Sequence, residues 1–554
     1  MAAVASSANR IKVPPGYKLH TENSAHILLP DTNDAFLNPV QEFNRDLSVA
    51  SIRVWAEERD AMKKQKWLER QRDQPDSKSS SKRRKLAGED GKPMEEGQAS
   101  EAKEYDPHGV VILEALSATG LRSIRYAKEI PQVKYVLAND LSPAACQAMR
   151  QNVDINGLGA KGADGSEVMP KVRVNEGDAC TLMYSHRALK DRVDVVDLDP
   201  YGTAAPFLDA AVQAVRDDGL LCVTCTDLAV LASGNYPEKC FSNYGGVPVR
   251  GEYCHESSLR LVLNAIATAA SRYGRSITPL LSLSIDFYVR LFVRVKTNPT
   301  EVKKLASKTA TYYICTVCQS HYEQPLGRIV ETPGKKGSSE PSLAYKTHIA
   351  PVVPQQCPEC DSSLHMAGPM WRAPLHDVDF VKRVLAHVEQ DPSRYGTSTR
   401  IKGMLTVASE ELTNPFYFTP SRIAGYFRCE VPSLAETSSA LLNGGYQISR
   451  SHALGGSLKT TAPRSFVFDI MREWVKTHPV KMENVSVGQI ARTLLEKPQK
   501  AAVSFDKHPN TMSKSSEVKL VRYQTNPTPN WGPKPRAKRK RETNDETSTV
   551  EQAE

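Results

Sequence analysis

Between residues 108 and 300, short apolar runs alternate with amphipathic stretches of helical periodicity. The apolar runs predict buried strands at 110–113, 135–138, 172–174, 193–198 and 220–226. The stretches between them predict helices, and the helix at 143–156 has proline in its first position. Because no tight hairpin sequence joins successive strands, the pattern predicts a parallel sheet with helices on both faces.

Residues 280–296 show a different pattern, in which apolar residues such as Leu281 and Leu291 alternate with Asp286, Arg290 and Arg294. This alternation predicts one or two antiparallel strands at the edge of the sheet. Five parallel strands completed by antiparallel ones would give the α/β fold of a class I, Rossmann-like methyltransferase domain. Other Rossmann-like enzymes share this periodicity, so the pattern alone does not distinguish them.

The composition divides the chain into segments. Residues 1–56 and 108–300 are predicted to form the methyltransferase domain, and 301–485 a C-terminal α+β domain. The charged residues 57–107, with Lys-Arg-Arg-Lys at 82–85, predict a disordered insertion whose first part, up to Gln74, could form a charged helix. Residues 500–554 are predicted to be a disordered basic tail.

The 554 residues are 40% hydrophobic, which excludes disorder of the whole chain, and the net charge is a mild +9. No run of 18 apolar residues and no signal-peptide core is found, so neither a membrane span nor secretion is expected. The cysteine usage is typical of a reducing compartment. The basic clusters favour the nucleus, and the lack of acidic residues up to His20 gives weaker support for mitochondrial import.

Acidic residues stand at the ends of four predicted strands, where open parallel sheets bind their ligands. They are Glu114, Asp140, Asp178 and Asp199. Asp140 is placed to accept hydrogen bonds from a ribose diol, and Asp178 from an adenine amino group. Each carboxylate alone is typical of a helix cap or a turn, but four at consecutive strand ends favour a ligand site.

Asp199 begins the sequence Asp-Pro-Tyr-Gly, the most distinctive motif of the chain. An exocyclic base amine is a poor nucleophile because its lone pair is delocalised into the ring. A carboxylate and a backbone carbonyl that accept its protons, with an aromatic ring stacked on the base, would hold the nitrogen in line with a methyl donor. The candidate catalytic residues are therefore Asp199, Pro200 and Tyr201, and an ordinary Asp-Pro turn is the alternative.

Two cysteine pairs predict a metal site. Cys315, Cys318, Cys357 and Cys360 offer four thiolates on two short turns, which suits tetrahedral structural zinc. Buried reduced cysteines are the alternative interpretation. The middle of the 38-residue spacer, at 334–342, is predicted to be flexible. Because four thiolates already complete the coordination shell, catalytic zinc is not expected.

Several strings occur along the chain in a particular order: FLNP at 36–39, NRD at 44–46, LEALSATGLR at 113–122, NDLS at 139–142, DLDPYG at 197–202, TCTD at 224–227 and NYGG at 243–246. Together they resemble the tRNA (guanine-N2)-dimethyltransferase family, from about residue 15 to 480 around the insertion. The resemblance implies methyl transfer from S-adenosylmethionine to N2 of guanosine 26 in tRNA, giving N2-methyl- and N2,N2-dimethylguanosine.

The resemblance also implies residue roles. Contacts with S-adenosylmethionine are expected from Arg45, Arg122, Asp140, Asp178 and Ala179, the arginines being suited to the cofactor's carboxylate. Asp199 would hold the guanine amine, and Tyr201 would stack on the base or gate it. Glu114 departs from the family pattern, and its longer side chain argues against a direct cofactor contact.

The expected macromolecular partner is tRNA, and no feature points to an obligate protein partner. In the C-terminal domain, Arg450, His452, Lys459 and Arg464 surround a glycine-rich loop that is either a basic RNA-contacting hairpin or a solvated loop. Two alternative functions stay open. One is an adenine-N6 or cytosine-N4 nucleic-acid methyltransferase, and the other is a catalytically silent RNA-binding protein with this fold.

Overall fold

The computed structural model describes residues 11–31, 37–72, 104–160, 166–333 and 341–511. The strands are β1 Tyr17–Glu22, β2 Ala25–Pro30, β3 Val110–Glu114, β4 Val133–Asp140, β5 Val172–Glu176, β6 Val193–Leu198, β7 Val215–Cys225, β8 Arg275–Ile285, β9 Tyr288–Thr297, β10 Thr309–Cys315, β11 His321–Pro325, β12 Gly327–Thr332, β13 Ser342–Thr347, β14 Leu364–Trp371, β15 Ile448–Arg450 and β16 Leu458–Thr460. The predictions for 82–85 and for 334–340 lie outside the described residues.

The helices are α1 Glu42–Arg72, α2 Leu121–Glu129, α3 Pro143–Ile155, α4 Ala179–Ser185, α5 Leu208–Ala214, α6 Leu228–Leu231, α7 Pro237–Tyr244, α8 Cys254–Ser271, α9 Pro299–Val302, α10 Val378–Gln390, α11 Ser398–Glu410, α12 Pro420–Phe427, α13 Leu434–Asn443, α14 Arg464–Thr477 and α15 Ile490–Glu496. Within the described ranges, none of these helices combines the length and the apolar character needed to cross a membrane.

A seven-stranded sheet forms the centre of the molecule, with the strand order β5-β4-β3-β6-β7-β9-β8. The first five of these strands pair in parallel, whereas β9 pairs antiparallel with both β7 and β8. The antiparallel edge predicted over 280–296, as one or two strands, is confirmed and consists of the two strands of this hairpin. The strand order and the antiparallel pair confirm the class I methyltransferase fold.

Alternating side chains of the sheet enter two buried layers, because successive residues of a strand point to opposite faces. Ile112 and Val195 pack in the layer that contains α1 and α2. Leu113 and Val196 pack in the layer that contains α5 and α8. Since both faces are covered, the central strands tolerate almost continuous apolar sequence.

The boundary expected at residue 57 is wrong, because α1 continues without interruption from Glu42 to Arg72. Its first half lies against the sheet through buried residues such as Phe43, Leu47 and Trp55. The buried Arg59, beyond the expected boundary, donates a hydrogen bond to the buried Asp194. The charged helix allowed up to Gln74 is confirmed as far as Arg72, and the remaining insertion from 73 to 103 lies outside the described residues.

The boundary expected at residue 300 also differs from the structure. The three-stranded sheet β11-β10-β14 contributes Tyr312 and Met370 to the core layer of α8. Helices α10 and α11 contribute residues such as Phe380 and Leu405 to the layer of α1. Residues from about 418 onward build a third core together with the four cysteines of the predicted metal site.

Two further expectations for the C-terminal part are corrected. Residues 500–511 are part of the fold, since Ala501, Val503 and Phe505 pack on the third core, and only 512–554 of the predicted tail lie outside the description. The β15–β16 hairpin does not present a basic surface through His452 or Lys459, which are both buried. Lys459 lies 3.3 Å from carboxylate oxygens of Glu256 and Glu411, so its charge is neutralised inside the protein.

A buried arginine joins β1, α1 and α2. Arg125 donates to Glu22 at 2.7 Å, to Asp46 at 2.6 Å and to Glu129 at 2.9 Å. Burial alone would raise the pKa of the Glu22 carboxyl, but the imidazole of His20, 4.0 Å away, and the guanidinium groups of Arg45 and Arg125 hold that pKa well below its ordinary value of 4.5. This carboxylate therefore stabilises the fold above pH 4.5, and its contribution is lost as the pH falls through and below that value.

We predict that Arg125→Met lowers the free energy of unfolding by about 3–5 kcal/mol at pH 7, because buried carboxylates lose their partner. Urea titration measures the change, and the deficit relative to the wild type should shrink below about pH 4.5 as Glu22 is protonated. Arg150→Met is the control, since Arg150 is 52% exposed and should change stability by less than about 0.5 kcal/mol. A deficit that is equally large at acidic pH would contradict the electrostatic account.

Candidate active site and four-cysteine cluster

The predicted acidic residues lie along one edge of the sheet, at or just after the carboxyl ends of four neighbouring strands. Glu114 ends β3, Asp140 ends β4, and Asp178 and Asp199 follow β5 and β6. The order reverses between β3 and β6, which is the point where open sheets of this type bind their ligands. The structure therefore brings the four residues to one cleft edge, as the sequence pattern indicates.

Two of these carboxylates are held by main-chain amides. Asp140 accepts hydrogen bonds from the N–H groups of Ala118 and Ser142, both at 2.9 Å, and this fixes it beside the turn after β3. Asp178 is exposed and caps α4 by accepting from the Thr181 N–H at 2.7 Å. That hydrogen bond lowers the pKa of the Asp178 carboxyl. Ala179 is the buried first residue of the same helix.

Glu114 differs from the other three because its side chain is buried under the cleft. The Ser123 hydroxyl donates to its carboxylate, and Arg122 Nε lies 3.7 Å away. Burial raises the pKa of Glu114 to about 8, although Arg122 opposes the shift. These positions agree with the expectation that Glu114 makes no direct contact with a cofactor.

The loop of Asp199, Pro200, Tyr201 and Gly202 is pinned to the end of β7. Gly202, with φ of +99°, donates its N–H to Thr226 Oγ1 at 2.8 Å, and its carbonyl accepts from the Thr226 N–H at 2.8 Å. Pro200 is buried, whereas Tyr201 is 57% exposed. The loop thus carries an exposed aromatic side chain on a backbone that is held by hydrogen bonds to Thr226.

Arg122 is the partner of Asp199 in this structure. Its guanidinium donates to Asp199 Oδ2, and Ser48 accepts from it at 3.1 Å. Burial alone would lower the pKa of Arg122, but Asp199, Asp197 and Glu114 raise it well above its ordinary value. Within the described part of the chain no hydrogen bond is made to Asp199 Oδ1, and the Asp199 side chain is 19% exposed.

Both arginines predicted to contact a cofactor have carboxylate partners inside the protein. Arg45 is buried and donates through Nε to Glu22 at 2.6 Å, and Arg122 is bound to Asp199. The resemblance implies the carboxylate of the cofactor as the partner of both arginines, whereas in this structure the partners are Glu22 and Asp199. A buried guanidinium requires such a nearby anion. Contacts of Arg45 and Arg122 with a cofactor carboxylate remain predictions.

The sequence analysis missed the polar layer beneath this edge. Asp197 is fully buried and accepts from Tyr126 at 2.5 Å and from Arg290 at 2.8 Å. Arg290 also donates to Ser48 at 2.9 Å, which connects β9 to α1. The signal was present: Asp197 interrupts a buried strand, and Arg290 stands in a strand that is covered on both faces.

The four predicted metal ligands meet in space. Their sulfur atoms all lie within 4.8 Å of one another, with 3.3 Å between Cys315 and Cys360 and 3.5 Å between Cys318 and Cys357. Tetrahedral zinc with Zn–S bonds of about 2.3 Å requires sulfur separations of about 3.8 Å, so the donor set fits this metal.

The two turns that carry these cysteines repeat one backbone geometry. The Cys315 N–H donates to the Ser320 carbonyl at 2.8 Å, and the Cys357 N–H donates to the Ser362 carbonyl at 3.0 Å. The residue after the second cysteine of each turn, Gln319 or Asp361, has a left-handed backbone with φ of +56° or +59°. The matching turns are what orient two thiolates each toward a common centre.

A second cluster, formed by His376, Glu411 and His452, contains residue types that can bind a metal, but the ring nitrogens that face its centre carry protons. A Ser282 N–H donates to His376 Nδ1 at 3.2 Å, and a Ser284 N–H donates to His452 Nε2 at 3.1 Å. The other nitrogen of each neutral ring therefore carries the proton and faces Glu411. A metal would need those nitrogens unprotonated, so the cluster is a hydrogen-bonded network inside the core.

Proteins with similar sequences are named tRNA methyltransferases, which agrees with the geometry of the site. The family model described as "TRM: N2,N2-dimethylguanosine tRNA methyltransferase" matches residues 16–472. The tRNA (guanine(26)-N(2))-dimethyltransferase of Schizosaccharomyces pombe is 47% identical over 93% of this chain and 91% of its own length. The mitochondrial tRNA (guanine(26)-N(2))-dimethyltransferase of Saccharomyces cerevisiae is 41% identical over 96% of this chain and 94% of its own.

Among solved structures, Trm1 from Pyrococcus horikoshii in complex with S-adenosyl-L-methionine is 25% identical to this chain, with a TM-score of 0.59. The similarity covers 82% of this chain and 99% of that one. It therefore extends from the methyltransferase sheet into the C-terminal part. The match to residues 16–472 and the identities of 41% and 47% establish that this chain belongs to the N2,N2-dimethylguanosine tRNA methyltransferase family.

Proposed function

We propose that this protein transfers methyl groups from S-adenosylmethionine to N2 of guanosine 26 in tRNA, forming N2-methyl- and then N2,N2-dimethylguanosine. The observation that carries the proposal is the position of the Asp199-Pro200-Tyr201 loop. This loop lies where the strand order reverses between β3 and β6, on the same edge of the sheet as Asp140 and Asp178, and the chain belongs to the family described above.

The proposed cofactor site is the strand edge between β3 and β5. Asp140, held by two main-chain amides, would accept the ribose hydroxyls, and Asp178 with Ala179 would flank the adenine. The cofactor supplies an electrophilic methyl group when it is bound. Among the described residues, Asp140 and Asp178 make no ion pair with an arginine, unlike Glu22 and Asp197, so their charges remain available to a ligand.

Asp199 is proposed to bind the substrate amine through Oδ1, while Arg122 holds Oδ2. The guanidinium thereby fixes the plane of the carboxylate, and the Pro200 carbonyl can accept the second amine proton. Tyr201, exposed at the edge, would stack on a guanine that has left the RNA stack, as base-modifying enzymes require. We therefore propose that the main role of Arg122 is to position the carboxylate of Asp199.

The same arrangement accounts for two successive transfers. In the first transfer a bond would form between N2 and the methyl carbon, the bond from sulfur to that carbon would break to leave S-adenosylhomocysteine, and the proton that N2 loses would pass through Asp199 to solvent. N2 then retains one N–H, from which Asp199 can again accept a hydrogen bond. After the second, N2 carries no hydrogen and the carboxylate has nothing left to bind. The proposed reaction therefore ends at the dimethylated base for a chemical reason, without a separate control element.

We further propose that the four cysteines hold a structural zinc ion. Tyr253 donates to the Gln319 carbonyl at 2.9 Å, and Arg464 donates to the Cys318 carbonyl at 3.2 Å. Through these contacts the first turn joins the segment before α8 to α14. Zinc there would tie the C-terminal core to the methyltransferase layers, and the four thiolates leave no open coordination position for catalysis.

For localisation, we propose the nucleus, on the basis of the basic clusters at 82–85 and 538–541. Mitochondrial import is the second proposal, since the related Saccharomyces cerevisiae protein is named mitochondrial.

The function is tested by incubating unmodified tRNA with the purified protein and methyl-labelled S-adenosylmethionine, followed by nucleoside mass spectrometry. We expect the label in N2-methylguanosine at early times and in N2,N2-dimethylguanosine later, and no label when guanosine 26 is replaced. Labelled N6-methyladenosine or N4-methylcytidine would support the alternative enzymatic function. Binding of tRNA with no incorporation would support the silent RNA-binding protein.

Asp199→Asn and Asp140→Asn form a matched pair that separates the two halves of the site. Asp199→Asn should lower turnover by about 10²–10⁴-fold, because the positioned proton acceptor is lost, and should leave cofactor affinity nearly unchanged. Asp140→Asn should chiefly weaken S-adenosylmethionine binding in a calorimetric titration. Near wild-type turnover of Asp199→Asn with saturating tRNA and cofactor would overturn its assignment.

Cys357→Ser should abolish stoichiometric zinc and lower the temperature of unfolding, because metal binding at such a site is coupled to folding. Metal analysis and thermal denaturation measure the two effects, with Cys429→Ser, a half-buried cysteine outside the cluster, as the control. S-adenosylmethionine binding should survive in Cys357→Ser while tRNA binding falls. Zinc that persists after all four cysteines are replaced would contradict the site.

A further inference from the structure

A second groove lies at the opposite edge of the sheet from the proposed active site. It runs between the outer half of α1 and the amino ends of β3 and β4. The cations along it are Lys63, Lys66 and Arg70 of α1, Lys134 of β4 and Arg216 of β7. Lys63, Lys66 and Arg70 form a row on the outer half of α1. These three side chains have no assigned role in the fold or in the proposed reaction.

The groove carries more positive charge than its carboxylates neutralise. Asp194, beneath it, is fully buried and is already bound to Arg59 and His108, with Arg216 at 3.6 Å. Asp60 is occupied by the Tyr105 hydroxyl at 2.7 Å. Within the described ranges, no carboxylate oxygen lies within 4.0 Å of the charged nitrogens of the three α1 cations or of Lys134.

The pKa of Lys63 is affected by this excess of positive charge. Burial and the neighbouring guanidinium groups of Arg59 and Arg216 lower the pKa of Lys63 to about 8, against the opposing effect of Asp194. An anion in the groove would relieve the repulsion and favour the charged amine. The arrangement therefore suits a ligand with several negative charges.

Aromatic rings stand beside these cations. The rings of Trp67 and Tyr105 have centroids 5.9 Å apart, and both are only partly buried. Tyr135 also lines the groove, and the Arg173 guanidinium lies 3.7 Å from the centroid of its ring. Cations interleaved with aromatic rings are typical of surfaces that bind nucleic acid, whereas an acidic peptide requires only the cations.

We propose that this groove is a second RNA-binding surface, which holds the sugar-phosphate backbone of the tRNA away from the nucleotide that is methylated. The inference rests on the proposed function, because it takes the RNA to be the substrate. Lys63 and Arg70 are separated by about 10 Å along the helix, enough for more than one phosphate. The five residues of β3 separate its two ends by about 13 Å, so an RNA that reaches both the groove and the proposed active site must extend at least that far.

The test compares two double charge reversals on the same helix. Lys66→Glu/Arg70→Glu changes two exposed groove cations, and Lys64→Glu/Arg72→Glu changes two exposed cations that do not line the groove. We expect the groove variant to raise the Kd for tRNA by about tenfold or more, and the control to change it far less. Both should bind S-adenosylmethionine like the wild type, which also shows that they are folded.

Salt dependence gives an independent measurement. Lys66→Ala/Arg70→Ala should reduce the slope of log affinity against log salt concentration by about 2, because each of the two cations neutralises one phosphate in the wild type. Equal Kd values and equal slopes for the groove variants and the wild type would overturn the proposal. If the wild-type protein instead fails to bind or methylate tRNA, the proposed function fails first, so the two failures are distinguishable.

Discussion

The buried guanidinium of Arg122 is the interaction on which the candidate active site depends. It lies among Asp199, Asp197 and Glu114, and so connects the ends of β3 and β6 at the point where the strand order reverses. A charge buried this deeply is tolerated only with nearby anions, and removal of either side leaves the other uncompensated. The position of Asp199 is therefore a consequence of core electrostatics, not of a flexible loop.

The same principle explains why the N-terminal segment and α1 belong to the methyltransferase domain. Arg125 binds carboxylates from β1, α1 and α2, and Arg290 joins β9 to Ser48 of α1. Helices α10 and α11 then cover α1 with apolar residues from the C-terminal half. The domain is thus assembled from segments far apart in sequence. The outer half of α1 carries Lys63, Lys66 and Arg70, the cations of the second groove.

Local patterns in the sequence are sufficient to predict the sheet, the Asp199 loop and the cysteine turns, since each depends on residues within about ten positions of one another. The partners of the charged residues cannot be predicted in this way. Arg290 meets Asp197 across 93 positions, and Lys459 meets Glu256 across 203. For that reason the sequence suggests Lys459 in a basic or solvated loop, whereas the structure places it in a carboxylate network of the interior. The bond of Arg122 to Asp199 was not predicted either, and its contact with a cofactor stays a prediction.

The central claim is that Arg122 holds one oxygen of Asp199 so that the other can bind the amine of guanine. A structure of the protein with tRNA and a non-reactive analogue of S-adenosylmethionine tests it most directly. The account predicts N2 of guanosine 26 within about 3.2 Å of Asp199 Oδ1, with Arg122 still bound to Oδ2. An Asp199 directed away from the base, with Arg122 no longer bound to Oδ2, would contradict it.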